Sequence, residues 1–201
     1  MTAPVVLKLG GSLLTIPDLM NRLEVVIERL RPSPVLIVPG GGAAADIIRD
    51  LDQKLGLSPE KAHRDAIAAM SYNAALLCRL NKSLRLVRNY EEALHVWSEG
   101  HSAVLDADSF LFGQPDHDND NEDSLPASWD ITSDSIAAWT ARQWQADRII
   151  LAKSCDAPET NLSALCQLGM IDRAFETIVG HVRTEWLNLR SSSICFMSIG
   201  S

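Results

Sequence analysis

The sequence predicts an α/β protein, a three-layer α/β/α sandwich around a mainly parallel sheet. Three observations carry that prediction. Short apolar runs recur at Val5–Leu9, Val35–Val38 and Arg148–Ala152, the kind of strand buried on both faces of a parallel sheet. Longer stretches with helical spacing of apolar residues separate them. Twice within the first fifty residues or so a strand runs into consecutive glycines and then a helix, which is βαβ grammar with a right-handed crossover.

The chain of 201 residues is 46% hydrophobic and 22% charged, enough for one full core, so one domain over residues 1–201 is expected. A net charge of −8 and a pI near 5.0 argue against nucleic acid or an anionic membrane surface as the main partner. The start of the chain has no basic-then-apolar signal pattern, and no apolar run approaches spanning length. Cys78, Cys155, Cys166 and Cys195 are scattered without a CxxC pair, which suits reduced thiols. A cytoplasmic protein with no nucleic-acid or membrane partner is the expectation.

After the first strand and Gly10-Gly11-Ser12, Pro17 and Asp18 open a helix to about Leu30, with Leu19, Leu23, Val26, Ile27 and Leu30 on one face. Arg31-Pro32-Ser33-Pro34 stops it. The second strand, Val35–Val38, leads through Pro39-Gly40-Gly41-Gly42 into a helix that starts at Ala43. Pro59 to Leu80 reads as a long helix, Leu84–Val87 as a strand, Glu91–Trp97 as a short helix and Ala103–Leu105 as a strand. From about 113 to 130 the chain turns polar and acidic, a solvated loop by composition. Its carboxylates miss the glycine and glutamate that a calcium loop requires. Thr132 or Ser133 caps a helix to about Gln145. The strand Arg148–Ala152, a loop from Lys153 to Ser163, a short helix, and a helix from Met170-Ile171-Asp172-Arg173 to His181 follow. Trp186–Leu189 and Ile194–Met197 are expected as closing strands.

The chemistry gathers at the glycines. Lys8 lies inside an apolar strand, where an ammonium is costly unless something anionic meets it. Neither turn spells G-x-x-x-x-G-K-[ST] or G-x-G-x-x-G, so neither a P-loop nor a dinucleotide fingerprint is present. Two strands ending in glycine turns, one preceded by a lysine, supply what phosphoryl transfer asks for: backbone donors for phosphates and a cation for the moving charge.

Lys8-Leu9-Gly10-Gly11-Ser12, Pro39-Gly40-Gly41-Gly42 and Ser133-Asp134-Ser135-Ile136-Ala137-Ala138 resemble, in order and spacing, the motifs of the amino acid kinase family. Gly42 through Asp52, Ala62 through Met70, and Trp129 through Ser135 resemble its short branch, the aminomethylfuran-phosphate kinases of methanofuran biosynthesis. The resemblance implies a phosphotransferase using ATP and Mg²⁺ on a small phosphorylated acceptor, with a homo-oligomer compatible with it. By the same resemblance Lys8 stabilises the transferred charge and Asp134 orients it. Gly10, Gly11 and Ser12 hold the nucleotide phosphates, and Gly40, Gly41 and Gly42 face the acceptor. His63, Asp130, Thr132, Ser133 and Asp172 fall to the acceptor side, Asp130 and Asp172 for an ammonium, with a helix cap as the other reading of Asp172.

One stretch departs from the pattern. Relatives usually read Thr-Asp-Val-Asp-Gly after this strand, whereas here Lys153-Ser154-Cys155-Asp156-Ala157 follows Ala152. Lys153 and Asp156 then either contact ATP themselves or mark a member that binds without transferring. Arg173 stands where many relatives carry a second lysine, so it either meets the leaving phosphate or is a surface residue.

Overall fold

The computed structural model describes residues 2–113, 125 and 128–200. Val5–Leu9 forms β1, buried at every position, in the middle of a seven-stranded sheet. The other strands are β2 (Val35–Pro39), β3 (Leu84–Val87), β4 (Ser102–Leu105), β5 (Arg148–Lys153), β6 (Arg183–Asn188) and β7 (Met197–Ile199). Their order is β3-β4-β2-β1-β5-β6-β7, parallel throughout except for antiparallel β6–β7.

Alternation along the central strands divides the core in two. Val6, Leu36, Val38 and Leu151 face α4 (Tyr90–Ser98), α6 (Ser133–Gln143) and α8 (Phe175–Val179), with α5 (Ala107–Phe112) and α7 (Leu162–Gln167) on the same side. Val5, Leu7, Leu9, Val35 and Ile37 face α1 (Leu19–Leu30) and the end of α3 (Pro59–Leu80). Lys8, between Leu7 and Leu9, therefore points to the α6 side. The helix α2 (Gly42–Leu55) leaves the second glycine turn and buries none of its residues fully.

Register sets the site. Leu9 lies opposite Pro39 on one side and Ala152 on the other. The carboxyl ends of β1, β2 and β5 are thus level, and the segments leaving the three strands meet at one edge. The chain leaves β1 toward β2 and later returns as β5 on its other flank, the switch point at which open α/β sheets bind ligands.

Several boundaries differ from the sequence expectation. The first glycine pair opens a 3-10 turn, Gly11–Leu13, closed by Leu13 N–H to Gly10 O and Leu14 N–H to Gly11 O; α1 starts only at Leu19. Helix α5 was not expected, and it forms because Asp106 caps it, accepting from Ser109 N–H. The helix expected to reach His181 is the short α8, ended at Gly180, whose φ of +56° breaks the helical path. The closing strands also move. β6 starts at Arg183, and β7 is Met197–Ile199 rather than Ile194–Met197. Before β7, side chains of α1 take the carbonyls a ladder would need: Arg22 donates to Leu189 O and Ser191 O, Arg29 to Ile194 O. Residues 114–124, 126 and 127 of the expected acidic loop lie outside the described residues.

Candidate active site

The two glycine turns touch. A Cβ on Gly11 would stand 2.4 Å from Gly42 N, one on Gly40 would stand 2.8 Å from Gly11 N, and one on Gly41 would stand 2.5 Å from the Ala45 Cβ. Gly42 also has a φ of +57°, the left-handed region that favours glycine. The glycines here are required by the closeness of the turns. The consequence is that the first amides of α2, which have no partner within the helix, and those of the 3-10 turn open on the same space.

A side chain that nothing local in the sequence marks holds the second turn. Asn73, buried in α3, donates from Nδ2 to Gly40 O at 2.8 Å and to Gly41 O at 3.0 Å. With those carbonyls fixed on the α3 side, the peptide planes of the turn are fixed too.

Beside the turns a cavity of about 230 Å³ is lined by Gly11, Ser12, Gly40, Gly41 and Gly42 on one side. Arg49, Asp46, His63, Trp129, Thr132 and Ser133 line other parts of it. Arg49 stacks over the Trp129 ring at 4.8 Å and pairs with Asp46 at 3.0 Å. The Trp129 indole N–H donates to Asp52 at 2.7 Å, so Trp129 is tied to α2 by its face and by its N–H. Burial pushes the His63 imidazole below its ordinary pKa, against the pull of a hydrogen bond to the Ser128 backbone, so it is neutral at pH 7.

Under the turns lies a buried ionic triad. Lys8 Nζ is 2.7 Å from Asp134 Oδ1, with both side chains about nine-tenths or more buried. Lys153 Nζ lies 2.8 Å from Asp134 Oδ2 and also donates to Met170 O at 2.8 Å. Burial lowers Lys8 to about 8, Asp134 pulls it back up, and Lys153 pushes it further down. Burial raises Asp134 and the two ammonium groups outweigh it, holding the carboxyl at about 2. Taking such ions out of water is repaid only when they are paired and hydrogen-bonded, as they are here.

The cavity brings together Gly11, Ser12, Gly40, Gly41, Gly42, His63, Thr132 and Ser133, while Lys8 and Asp134 meet each other without lining it. Other expected site residues are placed differently. Asp172 does not line the cavity; its carboxylate accepts from Thr132 N–H, Thr132 Oγ, Ser135 N–H and the Ser135 hydroxyl, so it caps α6 and presents Asp134. Asp130 is exposed and also off the cavity. Asp156 accepts from Asn188 at 2.9 Å, and Arg173 is exposed on the turn before α8. Lys153 points down at Asp134 and Met170, not up at a phosphate. Ser12 instead faces Ser154, with their hydroxyls 3.3 Å apart. Among the described residues no three His, Cys, Asp or Glu side chains gather as a metal site.

Touching glycine turns at the end of a mainly parallel sheet, beside a buried lysine, are the parts a phosphate-handling protein needs. The chain belongs to the amino acid kinase family, whose model matches residues 3–157. Among curated proteins it is similar to the [5-(aminomethyl)furan-3-yl]methyl phosphate kinase of Methanocaldococcus jannaschii, with 22% identity over 151 residues. That match takes in 75% of this chain and 66% of the relative, just under two thirds of its length. Solved structures share the fold. The UMP kinase of Bacillus anthracis superposes with a TM-score of 0.67 and 16% identity over 95% of this chain and 89% of that one. The uridylate kinase of Archaeoglobus fulgidus gives 0.62 and 21% over 98% and 91%. The UMP kinase of Ureaplasma parvum gives 0.67 and 14% over the whole of both chains. The family and these relatives are named as kinases. No described helix is long and apolar enough to cross a membrane.

Proposed function

We propose that the chain transfers the γ-phosphoryl group of ATP to a small acceptor that already bears a phosphate, releasing ADP and a diphosphate ester. The observation that carries this reading is the cavity beside the second glycine turn, with Arg49 as its cation and backbone amides at its base. An arginine and a helix N-terminus suit a phosphate, while neutral His63 adds no charge. The named relatives support the class: one acts on an aminomethylfuran methyl phosphate and others on UMP, all phosphate monoesters. We assign the acceptor to the aminomethylfuran phosphate type, in one-carbon cofactor biosynthesis in the cytoplasm. Its ammonium would meet Asp46, the carboxylate that lines the cavity, in place of Asp130 or Asp172.

The residues present fit the nucleotide as well. The Gly10 N–H is spent on Ala152 O, so the Gly11 and Ser12 amides are the donors the turn offers to its phosphates, and Lys8 keeps N–H donors beyond the one spent on Asp134. Magnesium would be held chiefly by phosphate oxygens and water, which this hard ion prefers. When an acceptor oxygen attacks the γ-phosphorus, the bond to the β-phosphate oxygen breaks and charge moves onto that oxygen. Lys8, fixed by Asp134, meets the charge without having to reorganise. The second glycine turn, held by Asn73, keeps the attacking phosphate in place.

A second reading, binding without transfer, is favoured by one observation: Lys153 is spent on Asp134 and Met170, so it does not replace the phosphate contacts missing from the 153–157 loop. One experiment separates the two. The protein is incubated with ATP, Mg²⁺ and, in parallel, the aminomethylfuran phosphate, UMP, aspartate or acetylglutamate, and phosphorus NMR follows the products. Coupled P–O–P doublets from the furan phosphate support the proposal. An acyl phosphate from aspartate or acetylglutamate, or no product from any acceptor, overturns it.

A further inference from the structure

The ammonium of Lys153 meets three acceptor atoms: Asp134 Oδ1 at 3.0 Å, Asp134 Oδ2 at 2.8 Å and Met170 O at 2.8 Å. An ammonium has three N–H donors, so none is left for a ligand. The same ammonium lies over the Trp186 ring, 5.7 Å from its centre, and the Trp186 indole N–H donates in turn to Cys155 O at 2.9 Å. Lys153 is the last residue of β5, Met170 lies in the turn that carries Asp172, and Asp172 caps the helix that presents Asp134. Three separate pieces of chain therefore converge on one nitrogen, and the group they steady is the carboxylate that holds Lys8.

We propose that Lys153 is a positioning residue for Lys8. It takes the second oxygen of Asp134 while anchored on Met170 O, fixing the carboxylate that fixes the Lys8 ammonium. This rests on the kinase reading above for its purpose, although the arrangement itself does not depend on it. Sharing one carboxylate between two ammonium groups has a second effect. Lys8 has less negative charge to itself, and it feels Lys153 as a like charge across the carboxylate. The charged groups acting on Lys8 are Asp134, Lys153 and, further off, Asp172. Such a lysine gives up a proton more readily than one paired alone. At 153, where the sequence by itself suggests a nucleotide contact, the lysine instead completes a triad with Asp134 and Lys8.

The test reads Lys8 directly. The chain has only five lysines, so protein labelled with ¹³C at lysine Cε gives few signals, and Lys8 is assigned by its absence from Lys8→Met. Titration of wild type, Lys153→Met and Lys153→Arg is compared, alongside ATP binding by calorimetry. In wild type Lys8 should titrate well below the ordinary lysine value, at about 8. Removing the like charge in Lys153→Met should raise that midpoint by about one pH unit or more, and Lys153→Arg should restore it. ATP affinity should change by less than about threefold, because no phosphate contact is lost. Where Lys153→Met does not fold, Lys153→Gln removes the charge, keeps amide donors for Asp134 and Met170, and is read in the same way. An unmoved Lys8 midpoint in the neutral variant overturns the proposal. So does an ATP affinity weakened about tenfold or more, which makes Lys153 a phosphate ligand. If wild type binds no ATP, the kinase reading falls while the Lys8 midpoints still decide the part played by Lys153.

Discussion

Replacing Gly11 with alanine tests the contact between the turns. The new Cβ would lie 2.4 Å from Gly42 N and 2.6 Å from Gly42 Cα, whereas real Cβ atoms essentially never come within 3.0 Å of a neighbour. The difference, 3.0 − 2.4 = 0.6 Å, must come from backbone, since both atoms met are backbone. It cannot come from sliding β1 along β2 without giving up the Leu9–Pro39 register. Overpacking of this kind costs about 1–3 kcal/mol. For a chain of this size each kcal/mol lowers the melting temperature by roughly 2–4 °C, so Gly11→Ala should melt about 2–12 °C lower. The amides also part, and a misplacement approaching 1 Å at a reacting site lowers turnover on the order of 10²-fold. Gly56→Ala is the control. Gly56 has a φ of +62° and open space around it, so alanine there costs about 1–2 kcal/mol of backbone strain and leaves the site alone. Calorimetry and a coupled ADP assay on the three proteins suffice. The reasoning is refuted if Gly11→Ala keeps both its melting temperature and its turnover, or if Gly56→Ala loses as much activity.

Asp134→Asn leaves two buried ammonium groups facing an amide, and should destabilise by about 3–5 kcal/mol in denaturant unfolding as well as lower turnover. The Asp134 carboxyl is held at about 2, below its ordinary 3.8, so the stability it contributes is present above about pH 4 and is lost as pH falls toward 2. Melting curves across that window should show the acid slope in wild type and a shallower one in Asp134→Asn. Asn73→Ala removes two buried hydrogen bonds and should cost about 1–3 kcal/mol while raising the acceptor KM, and an unchanged KM would detach Asn73 from the turn. Arg49→Ala should raise the acceptor KM by roughly tenfold to a hundredfold with kcat little altered, the sign of a binding contact; equal losses in kcat and kcat/KM would place Arg49 at the transferred group instead.

The layers of the fold were legible because burial on both faces writes itself into sequence. Val35–Val38 and Ile149–Ala152 are apolar without alternation, and each is a central strand. Pro59 at the first position of α3, after the Ser58 cap, marks that helix start as plainly. Lys8 was legible too, since a lysine within such a run needs a buried anion. What failed to show is what depends on contacts between distant residues. Asn73 meets carbonyls 32 and 33 positions away, and a polar residue in a helix carries no sign of that. Asp172 lies 40 positions from Thr132, so the fold decides between the two readings the sequence left open, in favour of a helix cap over an acceptor ammonium. Lys153, on a strand end level with the glycine turns, has the position of a phosphate ligand. Its rotamer decides otherwise, and a rotamer is chosen by the buried carboxylate waiting nearby. The shift of the last strand to Met197–Ile199 has a similar cause, arginines of α1 taking carbonyls ahead of it.

The central claim is that Lys8, held by Asp134 beneath two touching glycine turns, stabilises the charge of a transferred phosphoryl group. Turnover of ATP with the aminomethylfuran phosphate acceptor by wild type and Lys8→Met, at matched folded fraction by circular dichroism, tests it most directly. Loss of one preorganised charge should lower kcat on the order of 10²–10³-fold, with the acceptor KM nearly unchanged. A Lys8→Met protein that is folded and turns over within about twofold of wild type would contradict the account.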